Sequence, residues 1–103
     1  MNSYNKPNAA PAAVTVNTSS TAAKALATPL AIRLGYRLTN TGGNTVYVQE
    51  VPVGTAEPLV SAVIAAPSFV LASGNYIEVG ARDLTDIYTG ALAAATATIQ
   101  ELV

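Results

Sequence analysis

The stretch that decides the fold is Arg37-Leu38-Thr39-Asn40-Thr41-Gly42-Gly43-Asn44-Thr45-Val46-Tyr47-Val48. Its two ends are rich in residues that favour strands. Its centre holds two glycines flanked by asparagines, which favour a turn. The pattern therefore predicts two antiparallel strands joined as a hairpin. Because the segment from Asn40 to Asn44 exceeds the tightest two-residue loop, we expect a bulged or four- to five-residue connection.

The alternation of side chains extends the first of these strands upstream. One face of it is apolar and holds Ile32, Leu34, Tyr36 and Leu38. The other face is more polar and holds Arg33, Gly35, Arg37 and Thr39. A strand with one apolar and one wetter face is typical of an antiparallel sheet that buries one side.

Short strands separated by turns are predicted along the rest of the chain. They cover residues 13–16, 22–29, 45–51, 69–71, 76–79, 86–89 and 95–103. For residues 53–67 we expect a loop with at most one or two helical turns. This pattern predicts an all-β protein, a small antiparallel β-sandwich or barrel that is jelly-roll-like. We expect one domain over residues 13–103, preceded by a flexible N-terminal arm, extended or disordered, over residues 1–12.

The chain is unusually poor in charge. Only 11% of its 103 residues are charged and the net charge is −1, whereas about 25% is average for a globular protein. One explanation is a small polar surface built from Thr, Ser and Asn. The other is that neighbouring subunits cover much of the surface, because charged residues are depleted in interface cores. We favour the second explanation.

Composition also narrows the function classes. The chain contains no cysteine and no histidine, so it has no disulfide, no thiolate nucleophile and none of the commonest general bases. We therefore expect no enzyme activity and no cofactor. Five scattered basic residues do not indicate nucleic-acid binding. The sequence has neither a membrane-spanning apolar run nor the apolar core of a signal peptide near its start, so we expect synthesis in the cytoplasm.

Three residues are the candidates for contact with a partner. Arg33 and Arg37 share one face of the predicted strand, roughly 13 Å apart, and would dock onto an acidic partner surface. The alternative for this pair is a solvated sheet face. Tyr4 would anchor the N-terminal arm against a neighbouring subunit, and the alternative there is an untethered tail.

Other constellations carry weaker signals. Asp83 and Asp86 lie three apart beside Arg82, which is a weak metal signal, and we favour a solvated turn. The segment 41–44 lacks the ending of a phosphate loop and leads into a strand. Four tyrosines could stack on a sugar, but their strand positions favour core or interface packing. They are Tyr36, Tyr47, Tyr76 and Tyr88.

The chain resembles small β-sandwich proteins of tailed-bacteriophage particles. It is similar to them in Asn40, Gly42, Asn44 and the run Val46-Tyr47-Val48, again over residues 71–79, and in Ile87-Tyr88 together with residues 95–102. The resemblance covers about residues 12–103. It implies a virion structural protein, and most specifically a capsid decoration (cement) protein.

What the resemblance implies is a mechanical role. Such a protein would bind and stabilise the shell at the capsid surface of the virion, after synthesis in the host cytoplasm. Its partners would be the major capsid protein and neighbouring copies of itself, as a dimer or trimer. Two alternatives stay open: a tail, neck or fibre-base component with the same sandwich, and a carbohydrate- or receptor-binding module that uses the tyrosines.

Overall fold

A computed structural model of the chain describes residues 10–27, 34–80 and 85–102. These residues form eight strands and one short helix, which confirms the predicted all-β class. The elements are β1 (Ala12–Val16), β2 (Ala23–Lys24), β3 (Gly35–Asn40), β4 (Val46–Pro52), α1 (Val60–Ala65), β5 (Phe69–Leu71), β6 (Tyr76–Val79), β7 (Thr85–Gly90) and β8 (Ala95–Leu102). Within the described part of the chain, no helix is long and apolar enough to cross a membrane.

The strands form two antiparallel four-stranded sheets that pack face to face. Sheet A has the order β1-β8-β3-β6, and sheet B has the order β2-β7-β4-β5. Consecutive strands therefore mostly alternate between the sheets, and the first strand pairs with the last. This is the strand order of an eight-stranded jelly roll, in which two Greek keys share one sandwich. The prediction of a jelly-roll-like sandwich is confirmed.

The prediction of a hairpin around residues 40–44 is wrong. Strand β3 pairs with β6 and β8, whereas β4 pairs with β5 and β7. The loop between β3 and β4 crosses from one sheet to the other. Its backbone is tied to β8, since the N–H of Thr41 donates to the carbonyl of Thr96 at 3.1 Å.

The main core lies between the two sheets. Its members are the inward side chains of the alternating strands, and the largest are completely or almost completely buried: Tyr36, Leu38, Val46, Val48, Ile87 and Ile99. Burying one such aliphatic side chain stabilises the fold by about 1.5–3 kcal/mol. The alternation predicted for residues 95–103 is confirmed in β8, where Ala97, Ile99 and Glu101 are all buried.

A second cluster covers the outer face of sheet B. Helix α1 packs there through Val60 and Val63 against Tyr88 and Ala22. The residue before the helix, Leu59, makes no side-chain capping bond. The helix is held instead by this packing and by a backbone bond to the loop between β1 and β2, in which the Val60 N–H donates to the Ser20 carbonyl at 2.7 Å. The helix has six residues, which fits the one or two turns expected for residues 53–67.

Three boundaries differ from the sequence predictions. Strand β1 begins at Ala12, one residue inside the predicted arm, and residues 1–9 lie outside the described ranges. Of the strand expected over residues 22–29, the structure describes residues 22–27, and among these the strand covers Ala23–Lys24. Leu34, expected on the apolar face with Tyr36, precedes β3 and is 64% exposed.

Candidate partner-contact face

The outer face of sheet A is a regular surface that no other described element covers. Sheet A packs its inner face on sheet B, and α1 contacts β4 and β7 of sheet B. The exposed residues of this outer face are Ala13, Thr15, Arg37, Tyr76, Glu78 and Thr96. We call this surface, with the half-buried Thr39 and Thr98 between them, the outer A face.

Threonines form the centre of the outer A face. Thr15 lies opposite Thr96, and Thr39 lies opposite Thr98 in the antiparallel register. The hydroxyl of Thr96 also lies 3.2 Å from that of Thr41. These short β-branched side chains suit a sheet and present hydroxyls without charge. A threonine-built polar surface, one of the two explanations for the low charge, is therefore present in the structure.

Arg37 lies on the outer A face in a neutral cluster. It is opposite Glu78 in the register, its guanidinium donates to the Glu78 carboxylate from Nε (2.7 Å) and Nη2, and it lies 5.1 Å from the ring centroid of Tyr76. An exposed ion pair of this kind contributes only about 0–1 kcal/mol to stability. Glu78 therefore compensates the charge of Arg37, and the contact of Arg37 with an acidic partner surface stays a prediction. Arg33 and Tyr4 lie outside the described residues.

The four tyrosines do not form one platform. Tyr36 and Tyr88 are buried in the two different clusters, and Tyr47 is half-buried. Only Tyr76 of the four is exposed, at 59%. The Tyr36 hydroxyl donates to the Glu50 carboxylate at 2.7 Å, which joins the two sheets. Core packing is thus the role of two of these side chains, and Tyr76 alone offers an open aromatic face.

Asp86 is a structural residue and not part of a solvated turn, so that prediction is wrong. It lies in β7 and is 2% exposed. Its carboxylate accepts the N–H of Gly54 at 3.1 Å and lies 3.4 Å from the Lys24 ammonium. Asp83 and Arg82 lie outside the described residues. Within the described ranges, no group of three or more His, Cys, Asp or Glu side chains is arranged to hold a metal ion.

An apolar groove lies beside helix α1, and no pattern in the sequence indicates it. It has a volume of about 490 Å³ and runs between α1, the loop of residues 18–20 and Leu92. Leu59 and Leu92 stand at its rim and are 57% and 75% exposed. Three segments distant in sequence form it, so no local pattern could have predicted it.

Comparisons with protein-family models, with curated proteins and with solved structures found no match to this chain. A function for it therefore depends on its own residues, their geometry and the resemblance in its strand and turn residues.

Proposed function

We propose that the chain is a non-enzymatic structural protein of a tailed-bacteriophage particle, most specifically a capsid decoration protein that binds and stabilises the major capsid shell. The observation that carries the proposal is the difference between the two outer faces. The chain covers the outer face of sheet B with its own helix, whereas its described elements leave the outer A face bare. A bare, regular face is where a partner can dock without displacing any described element.

The chemistry of the outer A face supports a protein partner. Its charges are the mutually paired Arg37 and Glu78, so docking would not bury an unpaired charge, which is costly. Its threonines are held in a sheet and lose little further freedom on binding, which lowers the entropic cost of association. Tyr76 and Arg37 are residue types enriched in binding hot spots. Many such weak contacts become strong collectively when copies bridge several shell subunits.

Two other roles are alternatives. A tail, neck or fibre-base component would use the same face at a different place in the particle. A carbohydrate-binding module is the alternative of another class, since jelly rolls also occur in lectins. The exposed ring of Tyr76 beside Arg37 is the feature that favours it. Fold alone does not decide among these roles.

Shell melting tests the proposal. Purified protein added to undecorated capsids should raise their melting temperature. Thr96→Lys adds a charge on the outer A face and should abolish the rise, whereas Ser61→Lys adds the same charge on the exposed side of α1 and should preserve it. Both variants are first shown by circular dichroism to be folded.

The remaining outcomes separate the alternatives. A decoration protein should be present in hundreds of copies per particle and stay with heads that have lost their tails. A few tens of copies would point to a tail or neck component. An unchanged melting temperature together with glycan binding that Tyr76→Ala abolishes would overturn the proposal in favour of the carbohydrate-binding role.

A further inference from the structure

The four edge strands of the sandwich differ in how they are protected against pairing. Natural sheets protect their edges with very short strands or with charged side chains. In sheet B, the edge strand β2 has two residues, one of them Lys24, and β5 has three. In sheet A, β6 carries the charged Glu78. Strand β1 differs from these three, because its five residues include no charge, no proline and no glycine.

Strand β1 is also regular. It pairs one to one with β8 from Ala12 to Val16, without a bulge. Val14 and Val16 point into the core, whereas Ala13 and Thr15 are exposed. In the described residues, no strand pairs with the other side of β1. An edge that is this long, regular and uncharged is a template for another strand.

The hydrogen bonds within sheet A show which N–H and C=O groups of β1 point away from β8 and toward the free edge. The carbonyl of Thr96 accepts the Thr41 N–H, so at Thr96 the backbone of β8 points toward β3 and away from β1. Thr15, opposite Thr96, therefore directs its own N–H and C=O to the free edge, as does Ala13 two residues earlier. The bonds of Asn40 agree, since its N–H and C=O pair with Asn75 and Gly74 on the β6 side. Because neighbouring residues in a strand direct their backbone groups to opposite sides, the N–H and C=O of Thr39 face β8.

We propose that β1 is a self-association edge, at which two copies of this chain pair antiparallel about a twofold axis at Val14. In this register, Ala13 of one copy lies opposite Thr15 of the other, and each pair exchanges two backbone hydrogen bonds. All four free backbone groups of Ala13 and Thr15 in each copy are then satisfied. The two A sheets become one eight-stranded sheet with a continuous outer face.

The flanking residues favour a second copy over a different partner. Beyond the strand, Pro11 of one copy falls opposite Asn17 of the other. Pro11 has no N–H to donate, and the carbonyl of Asn17 already accepts the N–H of Ala91 at 3.0 Å. Pro11 therefore lacks an N–H at the point where the opposite carbonyl, that of Asn17, already has a donor. The opposed side chains, Ala13 and Thr15, are small and uncharged, so they do not repel each other. The inference concerns the isolated chain and does not depend on the proposed capsid role.

Sedimentation of the full chain over a concentration series tests this pairing. The wild-type chain should show a monomer–dimer equilibrium. Thr15→Pro removes one free N–H at an edge, a place where proline is tolerated, and Ala13→Lys adds a protective charge. Each should leave a folded monomer at every concentration. Ala72→Lys, the same change at an exposed alanine in the turn after β5, should dimerise like wild type.

Amide exchange measured by NMR tests the register without any substitution. The amide hydrogens of Ala13 and Thr15 should exchange rapidly in dilute protein and become protected as the concentration rises. The Val14 amide, which points to β8, should be protected throughout. A wild-type chain that remains monomeric at millimolar concentration, or a dimer that Thr15→Pro and Ala13→Lys leave intact, would overturn the proposal.

Discussion

At residue 40, a buried amide makes three hydrogen bonds where the chain leaves sheet A. The Asn40 Nδ2 group donates to the carbonyls of Asn44 and Leu71 at 2.8 and 2.9 Å, and its Oδ1 accepts the N–H of Gly42 at 3.0 Å. Two carbonyls and one N–H require a side chain that both donates and accepts. Asparagine satisfies this requirement, and a carboxylate of the same shape does not.

Asn40→Asp is therefore expected to lower the free energy of unfolding by roughly 2–4 kcal/mol, because it places a buried charge against two carbonyls. The matched control is Asn44→Asp, whose amide makes an exposed bond to the Ala94 carbonyl, and about 1 kcal/mol or less is expected there. Urea denaturation measures both. Equal losses at the two positions would contradict this role of Asn40.

The pair of Lys24 and Asp86 gives a second prediction. Asp86 is buried, whereas the Lys24 side chain is 31% exposed, so solvent screens part of their attraction. Lys24→Met leaves the carboxylate without its counter-charge and should cost about 1–3 kcal/mol, less than for a fully buried pair. Lys24→Arg keeps the charge and should cost less than Lys24→Met. Thermal unfolding of the three chains at one pH decides the order, and a Lys24→Met chain as stable as wild type would show that the pair contributes nothing.

At the scale of the elements, the local sequence indicates which segments are strands. It indicates less well which strands pair with each other. The alternation in β8 was sufficient to place a strand there. The segment from Asn40 to Asn44 was compatible with either a hairpin or a crossing between sheets. Its neighbours Thr96 and Leu71 decide between them, and they are far away in sequence.

The candidate face was predictable only in part, for the same reason. Alternation placed Arg37 on the polar side of its strand. Its partner Glu78 follows from the pairing of β3 with β6, which no local pattern specifies. Asp86 was misread because the ammonium group that makes its burial possible belongs to β2.

The close approach of β3 to β6 gives the prediction for this scale. A Cβ added at Gly35 would lie 2.2 Å from the Val79 carbonyl oxygen, which is backbone and cannot move freely. Gly35→Ala should therefore push β6 away and cost about 1–3 kcal/mol, as overpacking does. Gly43→Ala is the matched control, because nothing lies within 4 Å of its added Cβ, and a change within about 0.5 kcal/mol is expected. Chemical denaturation of the two variants measures the difference, and equal midpoints would contradict the steric account.

For the whole molecule, stability is shared unequally between the sandwich and its helix. The main core joins both sheets and includes buried or partly buried residues of every strand except β2. The second cluster joins one six-residue helix to the outer face of sheet B. Both clusters use β7, through Ile87 on one side and Tyr88 on the other. Sheet B can therefore persist when the helix detaches, whereas the helix has no support without sheet B.

Hydrogen exchange should reveal this hierarchy. The Val63 amide in α1, bonded to the Leu59 carbonyl at 3.1 Å, should exchange through local opening, with a free energy at least about 1 kcal/mol below that of global unfolding. The Thr98 amide lies in β8, between β1 and β3, and should exchange only when the whole domain unfolds. Low denaturant concentrations should accelerate exchange at Thr98 and hardly affect Val63, because little surface is exposed when the helix opens. Exchange at the two amides with the same free energy and the same denaturant dependence would mean that helix and sandwich unfold as one unit.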